Sequence, residues 1–304
     1  MPVPILPAAT VMLIRDAVDQ DGAPDVEVCM LRRNLASEFV AGVYVFPGGR
    51  VDPEDHGPSV EALCRGRSDA EASAALGVES GGLAYWVAAL RECFEEAGVM
   101  LARHRRDDGA GEGALLDTTD PVVAARFAAY RDAVNGQEIG LLDICRQEDL
   151  VLVVDSVHYI SHWITPELAP RRYDTRFFIT TAPPGQVASH DDGETIATIW
   201  VRPRDALSRE AEGAIELLPP TIANLRSIEG FRSTGEVMSW ASQVTGVITV
   251  LPIVLVEDGH VLILRPGDDG YAEALADRQA SGWALDPALA EVARDTWGPR
   301  TGPA

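Results

Sequence analysis

The sequence predicts an α/β fold, a mixed sheet sandwiched between helices. Three observations predict it. Short β-rich apolar runs lie both before and after a central helix, that helix is apolar along one side and acidic near its end, and a strand runs into Pro47-Gly48-Gly49. Strands that flank a helix in this way suit layered α/β packing.

Taken in order, Ala9 to Ile14 and Val26 to Leu31 read as strands joined across Asp21-Gly22-Ala23-Pro24, and Val43 to Phe46 as a third. The stretch from His56 to Gly82 is rich in small and charged residues, with a short helix expected over Asp69 to Leu76. Leu83 to Ala97 is the central helix, since Trp86, Leu90 and Phe94 recur at i, i+4 and i+8, and Gly98 supplies the stop. Pro121 opens another helix, to Val134, and Ile139 to Arg146 continues it. Strands follow at Ser156 to Ile164, Arg172 to Thr180 and Thr195 to Val201, then helices at Pro203 to Glu212 and Thr221 to Gly230. A hairpin, Val247 to Val256 and His260 to Leu264, turns at Glu257-Asp258-Gly259. No internal repeat is visible.

A chain of 304 residues has ample length for a sizeable core. Its formal charge of −22 argues against nucleic acid or an anionic membrane as the main partner. The four cysteines, Cys29, Cys64, Cys93 and Cys145, have no zinc-like spacing, so free thiols in a reducing compartment are expected. The first residues lack the basic start of a signal peptide, no run is long enough to span a bilayer, and the last tripeptide is not a peroxisomal address. A cytoplasmic location is the expectation, and a homodimer stays open.

The chemistry concentrates in Arg91-Glu92-Cys93-Phe94-Glu95-Glu96-Ala97-Gly98-Val99. Glu92, Glu95 and Glu96 stand at i, i+3 and i+4, hence on one helix face within about one 5.4 Å turn. A solvated acidic face is one reading. The other is a site for a hard divalent cation, which relieves the repulsion and takes oxygen ligands. Arg91, four residues before Glu95, can steady a carboxylate. The earlier turn at Gly48-Gly49 favours the second reading, because glycine lets a backbone approach a ligand closely.

Together these segments resemble the Nudix hydrolases, whose signature is GX5EX7REUXEEXGU, where U is a bulky aliphatic residue. Gly49 supplies the first glycine, and Arg91 to Val99 match the second half apart from Cys93 at the first U. Asp55 stands at the position of the first Glu, with Glu54 adjacent, and 35 residues separate it from Arg91 where the pattern has 7. Such an insertion is compatible with the site if the loop bulges outward, since closure cost grows slowly with length. The resemblance implies a Nudix-type α/β/α sandwich with an insertion (about residues 56–88) inside a domain of residues 1–231, and a C-terminal extension over 232–304. It implies Mg²⁺ or Mn²⁺ as cofactor, with Glu92, Glu95, Glu96 and the Gly49 carbonyl as ligands. Glu92 would be a ligand or the base, Arg91 would hold the glutamates, and Glu194 of the Asp191-Asp192-Gly193-Glu194 loop would be the further acid.

A finer resemblance, to the peroxisomal coenzyme A diphosphatases of Nudix type nineteen, runs through Phe39 to Gly49, Trp163 to Pro166, Arg172 to Phe178, Leu218 to Thr221 and Pro266 to Asp268. It implies cleavage of CoA or acyl-CoA to 3′,5′-ADP and (acyl) 4′-phosphopantetheine, with Arg33, Gly48 and Arg172 on the substrate. The CoA-type pattern upstream of the box is half present. Arg33, Gly42 and Phe46 to Gly49 match it, whereas Asn34 stands for Ser or Ala and Glu38 for a second Arg. Another nucleoside diphosphate derivative, NADH or ADP-ribose, is the alternative substrate, and a silent binding protein on the same fold is a third reading. His158 and His162 read as sheet residues, although their spacing also suits a metal, and His190 is a weaker acid–base candidate. Trp163 and Tyr173 offer either core packing or a stacking surface for adenine.

Overall fold

The computed structural model describes residues 3–35, 41–105, 113–257 and 260–283. Glu38, the turn residues Asp258 and Gly259, and the chain from 284 onward lie outside them. Four strands come first, β1 (Ile5–Val18), β2 (Pro24–Arg33), β3 (Tyr44–Val45) and β4 (Gly48–Arg50). The helices α1 (Pro58–Glu61), α2 (Asp69–Leu76) and α3 (Leu83–Ala97) follow, then β5 (Ala102–His104), α4 (Pro121–Asn135), α5 (Leu141–Gln147) and β6 (Leu150–Leu152). Next are β7 (His158–Ile164), β8 (Arg172–Thr181), β9 (Thr195–Val201), α6 (Pro203–Ala211), α7 (Pro219–Ile228) and α8 (Thr234–Ala241). The described chain ends with β10 (Thr249–Val250), β11 (Ile253–Glu257), β12 (His260–Leu264) and α9 (Tyr271–Ala280).

Strand β1 organises the main sheet, whose order is β10-β7-β8-β1-β2-β3, with β4 also on β1 and β9 on β2. It runs parallel to β8 from Ile5↔Arg172 to Ile14↔Thr181. Along its other edge it pairs antiparallel first with β4 (Ala9↔Gly49) and then with β2 (Ile14↔Val28). The sheet is therefore mixed. Both faces of β1 are buried, which explains its nearly continuous apolar run. Val11 and Leu13 enter one core with α3, while Met12 and Ile14 enter a second core under α6, α7 and α8.

Helix α3 forms where the periodicity predicts. Trp86, Leu90 and Phe94 are buried, Trp86 Nε1 donates to the Val157 carbonyl at 2.9 Å, and Gly98 ends the helix with φ +68°. The insertion does not bulge outward. Val60, Leu63, Ala72 and Leu76 join the same core as α3, and Asp69 accepts from the amides of Gly81 and Leu83, fixing the start of α3. A β-carbon on Gly82 would lie 2.3 Å from the Ser73 nitrogen, so this corner needs glycine. Residues 139–146 do not simply continue α4, because Gln137 takes φ +58° and the chain restarts as α5.

The described residues between 232 and 283 pack on the core. Val237 and Ala241 of α8 are buried in the second cluster, Thr234 donates through its amide to Asp16 at 2.7 Å, and β10 extends the sheet beside β7. Hairpin β11–β12 is pinned by α9, with Tyr271 Oη donating to the Leu251 carbonyl and Arg278 Nε 3.2 Å from Glu167. Among the described residues no helix is long and apolar enough to cross a membrane. Placing a charge at the fully buried Val237 leaves it unpaired, so Val237→Asp is expected to cost about 3 kcal/mol or more in urea unfolding, with a chain ending at 231 destabilised in the same direction.

Candidate active site

The site is assembled around Arg91. Its Nε and Nη2 donate to the two Asp55 oxygens, each at 3.0 Å, and Nη2 also donates to the Arg50 carbonyl at 2.8 Å. Its Nη1 donates to Glu92 at 2.9 Å and to both Glu95 oxygens at 3.2 and 3.3 Å. Burial alone would lower the Arg91 pKa, but Asp55, Glu92 and Glu95 outweigh it and hold the guanidinium firmly charged. Asp55 is 2% exposed and accepts from the Asp52 amide at 2.8 Å, whereas Glu54 is exposed. The shorter acid at this place thus forms a two-pronged pair with Arg91, a geometry suited to the guanidinium fork. Cys93 points the other way, into the apolar core, where it packs as a small hydrophobe and burial pushes its thiol up.

Glu92 and Glu96 face the glycine pair. A β-carbon on Gly49 would lie 2.2 Å from a Glu92 carboxylate oxygen, and one on Gly48 would lie 2.4 Å from Thr10 Oγ1 and 2.6 Å from the Ala9 carbonyl. The Gly48 amide donates to Glu96 Oε2 at 2.9 Å, while Glu96 Oε1 is buried without a hydrogen-bond partner. Burial raises the pKa of both acids, with Glu92 adding to the rise at Glu96 and Arg91 opposing it at Glu92. Burial also raises Glu95, against the pull of Arg91. Among the described residues no three His, Cys, Asp or Glu side chains are already grouped as a ligand cage. The donor set nevertheless fits a hard cation. A buried oxygen that only accepts, beside a second buried carboxylate, has an unmet need for positive charge.

The acidic loop before β9 divides its work. Asp191 accepts from the Thr195 amide and hydroxyl at 2.8 and 2.7 Å and from the Glu194 amide at 3.0 Å, so it builds the loop, and these bonds outweigh burial to lower its pKa. Glu194 is exposed on the cleft, and its charge raises both Glu92 and Glu96. Arg33 lies on the same cleft and its charge lowers Glu96. Arg172 does not line it. That side chain is buried, with Nε donating to the Thr165 carbonyl at 3.0 Å, and the neighbouring Arg171 is the one on the cleft. The reason is strand alternation, which sends successive side chains to opposite faces.

The histidines hold other posts. A bulge between Tyr159 and Ser161 separates His158 from His162, and His162 binds Asp174 at 2.5 Å and Thr249 at 2.7 Å. His190 turns to Thr198 and Asp192. One contributor is not anticipated from sequence, Arg131 of α4. Its Nε donates to the Glu95 carbonyl at 2.8 Å and Nη2 to the Ser189 carbonyl at 2.9 Å, tying the end of α3 to the acidic loop. Its only sequence signal is an arginine on an otherwise half-apolar helix.

The glutamates, both glycines, Arg33 and Glu194 open onto one cleft of 2110 Å³. That exceeds the roughly 300–1,000 Å³ of a site for a compact small molecule and suits an elongated ligand. A family model for the NUDT19 Nudix domain matches residues 67–228. The chain belongs to this Nudix family. Acyl-coenzyme A diphosphatase NUDT19 of Gallus gallus and that of Homo sapiens are each 28% identical to it, over 83% of this chain and 74% of theirs. A crystal structure of a Nudix hydrolase from Alicyclobacillus acidocaldarius is 27% identical, with a TM-score of 0.57 over 78% of this chain and 96% of that one. This Nudix hydrolase carries its signature helix as α3, with Cys93 at the first U position and Asp55 reaching Arg91 across the insertion.

The glycine pair makes a discriminating test. Gly48→Ala forces a β-carbon into the backbone of β1, so thermal stability is expected to fall. The three atoms nearest a β-carbon in Gly49→Ala all belong to the Glu92 carboxylate, so the fold is expected to survive while turnover drops by roughly 100-fold, as displacing a catalytic group by about 1 Å can do. Equal thermal loss in both variants would contradict this geometry.

Proposed function

We propose that the protein is a metal-dependent CoA or acyl-CoA diphosphatase, releasing 3′,5′-ADP and (acyl) 4′-phosphopantetheine. The observation that carries the reading is the meeting of buried Glu92 and Glu96 with the Gly48-Gly49 backbone, one oxygen of Glu96 unpaired, on a cleft large enough for an extended substrate. The similarity to two acyl-coenzyme A diphosphatases supports the substrate class.

Glu92, Glu95 and Glu96, with the Gly49 carbonyl, are the ligands we assign to Mg²⁺ or Mn²⁺. Glu95 keeps free lone pairs although Arg91 bonds both its oxygens, since an ionised carboxylate has about four acceptor positions. When bound, the cation supplies charge neutralisation at the phosphate oxygens and acidification of a water. The residues do the rest. Glu92 or Glu194 accepts the proton of the attacking water, which adds to one phosphorus as the bridging oxygen leaves on the other phosphate. Arg91 fixes where Glu92 and Glu95 stand. Arg33 and Gly48, both on the cleft, are the positions we assign to the substrate's phosphates.

With Mg²⁺ or Mn²⁺ present, CoA or an acyl-CoA is expected to exceed NADH and ADP-ribose in kcat/KM by at least tenfold, read from the phosphate-bearing products. The reverse order would move the assignment to those nucleotides, and no turnover of any of them would leave a binding protein. Glu95→Gln and Glu96→Gln are each expected to lower kcat by roughly 100-fold or more, and full activity after exhaustive chelation would sink the metal assignment.

Thermal melting offers a readout independent of turnover. Mn²⁺ binds the folded state and is expected to raise the wild-type Tm, but to leave Glu96→Gln unmoved. In EDTA the same substitution removes a buried carboxyl crowded against Glu92, so its Tm is expected to lie at or above wild type. A lower Tm there would mean that Glu96 stabilises the fold rather than waiting for a cation.

A further inference from the structure

The hairpin β11–β12 lies outside the matched segment, yet one of its faces lines the cleft. Pro252, Val254, Ile263 and Arg265, which alternate along the two strands, face the cleft, and Val254 pairs directly with Ile263. The intervening residues Ile253 and Leu264 turn away and bury against Ala274 of α9. The hairpin is therefore fixed from behind and presents three apolar residues and one arginine in front. Pro252 and Val254 are buried, while Ile263 is 49% exposed on that face.

Strand register measures how far this face lies from the glutamates. One row of cleft residues runs Arg50, Ala8, Thr175, Trp163 across β4, β1, β8 and β7, and Trp163 then pairs with Val250 of β10, two residues before Pro252. Adjacent strands are about 4.8 Å apart, which puts β7 about 14 Å and β10 about 19 Å from β4. In a CoA ester, the chain from the phosphate oxygen to sulfur has as many bonds as about four peptide units, so it spans about 14 Å when extended. A substrate whose diphosphate sits at Gly48 and Glu96 then brings its sulfur to Trp163, and anything attached to that sulfur meets Pro252, Val254 and Ile263.

Resting on the CoA reading above, we propose that the hairpin is the acyl-selecting wall of the site: its apolar face takes the group carried on the substrate's sulfur and sets the preference between acyl-CoA and free CoA. The floor leading there carries the apolar side chains of Ala8, Phe177, Trp163 and Leu168, although Arg171 and Arg265 line the cleft as well.

The test uses the full chain with Ile263→Asp, on the cleft face, and Leu262→Asp, the next residue, which does not line the cleft. Both side chains are substantially exposed, and circular dichroism and Tm check that each variant folds. Ile263→Asp is expected to lower the ratio of kcat/KM for decanoyl-CoA over CoA by about tenfold or more, through KM, while Leu262→Asp leaves that ratio at the wild-type value. An unchanged ratio in Ile263→Asp, or an equal fall in both variants, overturns the proposal and leaves the CoA assignment standing. Weaker inhibition by 3′,5′-ADP in Ile263→Asp with an unchanged ratio also overturns it, since the hairpin would then hold the nucleotide end. Wild-type protein that cleaves ADP-ribose but neither CoA nor decanoyl-CoA removes the substrate reading itself, and this proposal with it.

Discussion

The paired hydrogen bonds between Arg91 and Asp55 hold together the parts of the site that are most distant in sequence. Asp55 closes the turn that follows β4, and the insertion starts at once behind it and ends where α3 begins. The same guanidinium takes the Arg50 carbonyl, Glu92 and Glu95. An exposed pair of this kind contributes little to stability, but this one is buried, and removing one partner leaves a charge without compensation. The position of the glutamates relative to the glycine turn thus depends on one cation, its partners Asp55 and Asp52, and the Gly48–Glu96 hydrogen bond. The insertion between them is not a passive loop, since its apolar residues fill the core beneath α3.

Much of this arrangement is legible in the sequence, because the legible parts are governed by local periodicity. Helix α3 announces itself through Trp86, Leu90 and Phe94 and stops at Gly98, and α2 and β9 have the expected bounds. The signature residues Arg91, Glu92, Glu95 and Glu96 follow from that helix, and Glu194 from its acidic loop. What stays hidden depends on contacts between distant segments. Gly48 to Arg50 carries no strand pattern and becomes β4 only because Ala8 to Thr10 offer it an edge. Arg131 looks like a surface arginine until α4 lies against the end of α3. Arg171 and Arg172 are interchangeable in composition, and only the register of β8 decides which one faces the cleft.

The segment after residue 231 shows the same limit from the other side. Nothing in its sequence says that Thr249 will pair with His162, 87 residues earlier, or that Val237 will be buried under the sheet. Those contacts make the C-terminal region part of the fold. They also hold Pro252 and Val254 at the end of the row of cleft residues that begins beside the glycine turn.

The glycine pair resolves a geometric conflict. The carboxylates come from α3, which packs on one face of the sheet, while the cleft floor of Ala8, Thr10 and Trp163 is built from residues of β1 and β7. At most positions a side chain on the intervening strand would separate the two. At Gly49 the space of a β-carbon is taken by the Glu92 carboxylate, and at Gly48 the amide itself reaches Glu96. Two residues without side chains therefore let acids held in one layer act in a cleft formed by another. The cost is two buried carboxylates with raised proton affinity, tolerated because β1 is paired along both edges and α3 is packed along most of its length. A further consequence concerns selectivity. The acids are positioned by Arg91 and the first core, whereas the far wall is positioned by β10, α9 and the Arg278–Glu167 pair. Substitutions at the far wall can therefore alter what is held without moving the groups assigned to the chemistry.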